Sequence, residues 1–175
     1  MSTERKLIVG LGNPDPEHAG TRHNLGWMVA DALAKRLDGT WQSKPKFKAD
    51  VAEIPRGLIV KPTTYMNLSG EAVQALTSFY KTELKDLLIV CDDINLPFGD
   101  LRFRDTGSAG GQKGLASVLT ALGTQDVSRL RIGVGAPPGP DATPHVLGKF
   151  TPDEQARLPV LITQALDRIE EWRNE

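Results

Sequence analysis

The sequence predicts an α/β protein: a twisted, mixed and largely parallel sheet flanked by helices on both faces, built as one domain over residues 1–175. Three observations carry this expectation. Short apolar runs at 7–11, 87–91 and 129–135 have strand length, and stretches of helical period alternate with them. Most of the 17 glycines and 12 prolines stand singly between these segments, as turn residues do. No repeat, low-complexity tract or linker divides the chain.

Each element follows in order. Leu7-Ile-Val-Gly-Leu11 reads as a buried strand. Residues 24–37 place Leu25, Met28, Ala32, Leu33 and Leu37 on one helical face, with Gly39 as the stop. Lys44, Lys46 and Lys48 alternate, which in an extended segment turns all three to one side. Residues 49–54 and 58–61 form a strand pair around Pro55-Arg56-Gly57. The spacing predicts a helix over 69–80, capped by Ser69, with Val73, Leu76 and Tyr80 inward. Leu87-Leu-Ile-Val-Cys91 reads as a central strand bearing Asp92 and Asp93 at its C-terminal end.

A helix over 112–122 stops at Gly123, and Arg129-Leu-Arg-Ile-Gly-Val-Gly135 is a further strand. Residues 137–144 form a loop. Thr151-Pro152-Asp153-Glu154 is a capping box with proline in the first helical position, and it opens the last helix. Pro159 predicts a break or restart there, after which Val160, Ile162, Ala165, Leu166, Ile169 and Trp172 supply an apolar stripe.

Composition narrows the function. A net charge of −1 gives no global attraction to polyanions, so any nucleic-acid contact must come from a local patch. One cysteine excludes an internal disulfide and fits a reducing compartment. No apolar run reaches membrane-spanning length, and the N-terminal Met-Ser-Thr-Glu-Arg-Lys lacks the core of a signal peptide, so a cytoplasmic protein without membrane contact is expected.

Motifs narrow it further. Gly10-Leu11-Gly12 fails as a dinucleotide fingerprint: Asp15 occupies the third glycine position, and Pro14 and Pro16 oppose a helix start there. Gly107-Ser-Ala-Gly-Gly-Gln-Lys113 breaks Walker spacing. Histidines at 18, 23 and 145 offer no metal-ligand spacing, and no metal or other cofactor is expected.

What remains is His23 with Asp92. In an open α/β sheet the loop after the first strand and the end of a central strand can meet at one crevice. The aspartate would fix the imidazole tautomer, and the histidine would act as general base on water. Asn13, Asn24 and Asn67 are uncharged hydrogen bonders suited to positioning a carbonyl or a water, although Asn24 could serve only to cap its helix. Arg102 with Arg104, and Arg129 with Arg131, alternate on strand faces, and with Lys113 they form either a phosphate-binding patch or a solvated edge. Cys91 as a nucleophile is the weaker alternative, because a thiol in an apolar run is usually a buried hydrophobe.

Together, Val9-Gly-Leu-Gly-Asn-Pro14, Thr21-Arg-His-Asn24, Lys61-Pro-Thr-Thr-Tyr-Met-Asn-Leu-Ser-Gly70, Asp92-Asp93 and Arg129-Leu-Arg-Ile-Gly-Val-Gly135 resemble the bacterial peptidyl-tRNA hydrolases over nearly the whole chain. The resemblance implies a cytoplasmic, usually monomeric enzyme that hydrolyses the ester between peptide and tRNA in prematurely released peptidyl-tRNA, without a metal. It recycles tRNA in ribosome rescue. By position, His23 becomes the base, Asp92 its orienting carboxylate and Asn13 a third catalytic group. Asn67, Met66, Asn24, Gln112, Lys113 and His18 become substrate-binding residues at the CCA end and peptide, and Arg102, Arg104 and Arg131 contact the phosphate backbone.

The chain departs from the family pattern in four places. Gln112-Lys113 stand where the family usually has His-Asn; Asp15 and His18 replace a glycine and a tyrosine; Asn95 stands where aspartate is common. The sequence given ends at Glu175, short of the basic tail of many relatives, which implies either a weaker grip on tRNA or a trimmed chain. The changes at 112 and 113 leave a second reading, a catalytically weakened RNA-binding or RNA-processing partner of the same fold.

Overall fold

A computed structural model describes residues 5–175 and shows one seven-stranded sheet in the order β2-β3-β4-β1-β5-β7-β6. The reading of residues 1–4 as free of a signal sequence lies outside these residues. Strands β1 (Lys6–Gly10), β4 (Gly57–Pro62), β5 (Leu87–Asp93) and β7 (Ser128–Gly133) run parallel at the centre. The edges are antiparallel: β2 (Trp41–Lys44) and β3 (Ala49–Ile54) on one side, β6 (Leu101–Arg104) on the other. Parallel strands need crossovers, and the helices between them supply these.

The helices divide into two layers. Alternate residues of the central strands serve each layer, as a pleated strand requires. Ile8, Leu88 and Val90 pack under α1 (Leu25–Arg36) and α5 (Pro152–Arg173), while Leu7, Val9, Leu87, Ile89 and Cys91 pack under α2 (Ser69–Tyr80) and α3 (Lys113–Leu122). Every residue of β5 is buried. Each fully buried Leu or Ile contributes about 1.5–3 kcal/mol relative to exposure, so the two layers carry most of the stability.

Local departures from the sequence reading have physical causes. The buried face of α1 is Leu25, Gly26, Val29, Ala30, Leu33 and Ala34, while Met28, Ala32 and Leu37 lie at its margin. A Cβ on Gly26 would stand 2.5 Å from the Val90 carbonyl oxygen and 2.6 Å from the backbone of Leu11, so the helix sits directly on the strands through small residues. Asp38, not Gly39, takes the left-handed conformation that ends α1, at φ 56°, and Gly39 N–H closes on the Ala34 carbonyl at 2.8 Å. Pro45 folds the lysine segment into a single turn, Pro45–Phe47, which buries Phe47 and leaves Lys48 left-handed, so the three lysines do not share a strand face.

Ser69 does not cap α2. It is the first helical residue, and its hydroxyl donates to the Met66 carbonyl at 2.7 Å. Helix α5 runs unbroken through Pro159, which is exposed, as is Gln155, whose carbonyl loses its helical partner on the solvent side. Its buried stripe contains Leu161, Ala165, Leu166, Ile169 and Trp172, and Val160 is 63% exposed. The capping box is present in full. The loop expected at 137–144 ends in a short helix, α4 (Thr143–Val146), whose first turn is set by Asp141 accepting from the Thr143 N–H at 3.0 Å.

Candidate active site

The C-terminal ends of β1 and β5 open onto a cavity of about 340 Å³. Its lining includes Asn13, His23, Asn67, Asp92, Gln112 and Lys113. This is the crevice that an open α/β sheet makes at the carboxyl ends of its strands. The order of assembly is legible in the chain. β1 delivers the loop with Asn13; the turn Arg22–Asn24 delivers His23 just before α1; β5 delivers Asp92; the N-terminus of α3 delivers Gln112 and Lys113.

At the floor, His23 Nδ1 lies 2.9 Å from Asp92 Oδ2, with the histidine 7% and the aspartate 1% exposed. A carboxylate at that nitrogen holds the proton on Nδ1 and leaves Nε2 as the acceptor on a residue that lines the cleft. The other carboxylate oxygen is also occupied: Gln112 Nε2 donates to Asp92 Oδ1 at 2.9 Å. Gln112 Oε1 accepts from the Leu115 N–H at 2.7 Å, which caps α3.

Asn13 is equally constrained. Its Oδ1 accepts from the Met66 N–H at 2.7 Å, and its Nδ2 is a donor without a partner among the described residues. Its backbone is clamped on both sides by Asn24, whose Oδ1 accepts from Asn13 N–H and whose Nδ2 donates to the Asn13 carbonyl, each at 2.9 Å. Asn24 therefore neither lines the cleft nor caps α1; it builds the loop that presents Asn13. Met66 is buried against Gln112, and Gly114 stands where a Cβ would collide with the Met66 sulfur, so α3 can approach only through a glycine.

Asn67 and Lys113 are exposed at the mouth. His18 is not brought to the cleft. It sits in the turn Pro16–His18 with Nδ1 3.7 Å from Asp15 Oδ2. Among the described residues, Asp15, Glu17 and His18 are a group with potential ligand atoms within 4.8 Å of one another, on a largely solvent-facing turn. Tyr65, on the cleft wall, donates to Asp15 at 3.5 Å, and that carboxylate pushes the phenol above its ordinary pKa.

The arginines part company. Arg102 and Arg104 are exposed on β6, and Arg102 faces Arg131 across the ladder. The like-charge pair is tolerated because Arg131 Nη1 meets Asp93 Oδ2 at 2.9 Å. Arg129, read from sequence as part of the same patch, is instead 1% exposed. It donates to the carbonyls of Val127, Ser108 and Gln125 at 2.7–3.1 Å, holding the 105–111 loop, and its burial lowers its pKa. Cys91 is fully buried in the α2–α3 layer, and desolvation, followed by Asp92 and Asp93, pushes its thiol up, so it is not a nucleophile at this site.

Two features of the cleft escaped sequence reading. The outer wall is Ala142, Thr143, Val146 and Leu147, from α4 and its borders. Arg22 holds that wall: its backbone N–H bonds Gly148, its Nη1 the His145 carbonyl at 3.1 Å, and its Nη2 Glu154 Oε1 at 2.8 Å. The available signals were Asp141 and Pro144 flanking Thr143, a helix start, and a long cation beside the candidate base.

Comparison with known proteins agrees with this architecture. The family model described as Peptidyl-tRNA hydrolase matches residues 7–175. The peptidyl-tRNA hydrolase of Chloroflexus aggregans is 48% identical over 170 residues, covering 94% of this chain and 90% of its own. That of Gloeobacter violaceus is 44% identical, with coverage of 95% and 87%. The crystal structure of the Acinetobacter baumannii peptidyl-tRNA hydrolase superposes with a TM-score of 0.89 at 34% identity, over 97% of this chain and 89% of that one. The chain therefore belongs to the peptidyl-tRNA hydrolase family.

Proposed function

We propose that His23 is the general base in this chain's hydrolysis of peptidyl-tRNA, the activity of its family. The observation that supports the reading best is the buried His23–Asp92 pair at the floor of the cleft. A water bound at His23 Nε2 attacks the carbonyl carbon of the ester, and its proton passes to Nε2. Asp92, already hydrogen-bonded to Nδ1, stabilises the imidazolium that forms. Asn13 Nδ2, the amide donor without a partner among the described residues, meets the carbonyl oxygen as it becomes an oxyanion. Collapse breaks the bond to the 3′ oxygen of the ribose, which takes the proton back from His23. The products are a peptide carboxylic acid and a tRNA 3′ hydroxyl.

Asn67 and Lys113 at the mouth suit the terminal nucleotides and peptide, and exposed Arg102 and Arg104, with Arg131 behind them, suit the phosphate backbone. The chemistry uses side chains and water alone. No helix among the described residues is long and apolar enough to cross a membrane; a monomer acting in the cytoplasm fits the family's task.

Turnover of an N-blocked aminoacyl-tRNA tests the proposal. His23→Ala lowers kcat by about 10²- to 10⁴-fold, while Cys91→Ala stays near the native rate. Activity that survives His23→Ala overturns the mechanism; tight tRNA binding by the native protein without turnover favours the RNA-partner reading instead.

A further inference from the structure

We infer that Gln112 is a positioning residue for the catalytic pair, acting through Asp92 rather than on the substrate. The inference rests on the His23–Asp92 reading above. The geometry is a continuous hydrogen-bonded series. Leu115 N–H donates to Gln112 Oε1 at 2.7 Å; Gln112 Nε2 donates to Asp92 Oδ1 at 2.9 Å; Asp92 Oδ2 accepts from His23 Nδ1 at 2.9 Å. Both ends of the Gln112 amide are engaged, and the second partner of Nε2 is the Met66 sulfur at 3.4 Å. An amide so committed, in a residue 8% exposed, has little capacity left to read a nucleotide.

Three consequences follow from the chemistry. The carboxylate of Asp92 cannot rotate without breaking one of two hydrogen bonds, so Oδ2 stays aimed at His23. The first turn of α3 polarises the Gln112 carbonyl, which strengthens the N–H that Asp92 receives. And an amide does not titrate, so Asp92 keeps this partner across the whole pH range in which His23 works.

Glutamine is also unusually long for a helix cap, and the length is what lets one residue cap α3 and reach Asp92. Serine at this position would still cap the helix but could not reach the aspartate. Gln112→Ser therefore separates capping from positioning, and Gln112→Leu removes both functions.

The experiment is steady-state kinetics of Gln112→Ser, Gln112→Leu and His23→Ala on an N-blocked aminoacyl-tRNA over a range of pH, with melting temperatures measured alongside. Gln112→Ser is expected to fold with a lowered melting temperature, because buried Asp92 loses a donor, to keep its KM within about twofold, and to lose about tenfold or more in kcat, because Asp92 is no longer held in line with His23. The acidic limb of its pH–rate profile moves to higher pH, because an Asp92 deprived of a donor holds the imidazolium more strongly. A Gln112→Ser protein with raised KM, unchanged kcat and an unmoved profile overturns the inference and makes Gln112 a substrate contact. Gln112→Leu guards against a false negative: if serine, or a water beside it, still serves Asp92, leucine alone shows the kcat loss and the shift. Full activity in His23→Ala would defeat the underlying mechanism instead, and is read independently of the Gln112 variants.

Discussion

The two walls of the cleft are built on opposite principles. The inner wall consists of strand ends, helix N-termini and the loop after β1, and Asn13, His23, Asp92 and Gln112 are all under 9% exposed: His23, Asp92 and Gln112 are hydrogen-bonded in series, and Asn13 is held by Met66 and Asn24. The outer wall is a loop and a four-residue helix, half-buried at best, held to the body by Arg22, by His145 Nε2 on the Val134 carbonyl and by a lone bridge between Thr21 and Lys149. The buried polar groups thus stand on the rigid scaffold, and the less buried side of the cleft stands on a loop and a short helix, the kind of segment with lower local stability.

Variants on each wall should therefore fail differently. The largest effect is expected from Asn13→Ala, which removes the Nδ2 donor and strands the buried Met66 N–H. Its kcat falls by about 10²- to 10³-fold, and its stability by about 1–3 kcal/mol, measurable by turnover and denaturant titration. An Asn13→Ala enzyme with unchanged kcat would remove that donor from the mechanism.

A smaller and different effect is expected on the outer wall. Arg22→Gln breaks the pair with Glu154, costing about 1–3 kcal/mol at a largely buried hydrogen-bonded charge. It should raise KM several-fold more than it lowers kcat, and speed proteolysis within residues 137–147. A drop confined to kcat would mean that the two walls are not independent.

The smallest effect belongs to the exposed edge. Arg102→Ala and Arg104→Ala should each reduce the slope of log affinity for tRNA against log salt by about one, with kcat preserved at saturating substrate. Slopes equal to that of the native protein would place the RNA elsewhere.

Much of this was legible in the sequence, for identifiable reasons. The central strands and long helices show in hydrophobic period, while β2 and α4 do not, and the ends of a first strand and a central strand in a parallel sheet permit the His23–Asp92 meeting without dictating it. The register of α1 was obscured because glycine and alanine, not large side chains, make its closest contacts. Arg129 and Arg131 are two residues apart and look alike, yet one is buried against three loop carbonyls and the other, half-buried, pairs with the buried carboxylate of Asp93; only their partners distinguish them. The link from Gln112 to Asp92 spans 20 residues and two elements, and nothing local announces it.

Glu154 Oε1 accepts from Thr151 N–H at 2.9 Å within the capping box and from Arg22 Nη2 at 2.8 Å across the molecule. One oxygen thus fastens both the first turn of a 22-residue helix and the turn that carries His23. Fraying of α5 at that end and loosening of the His23 turn become a single opening event. In hydrogen exchange, the amides of the first turn of α5 and those around His23 should share one protection free energy, and Glu154→Gln should lower both together.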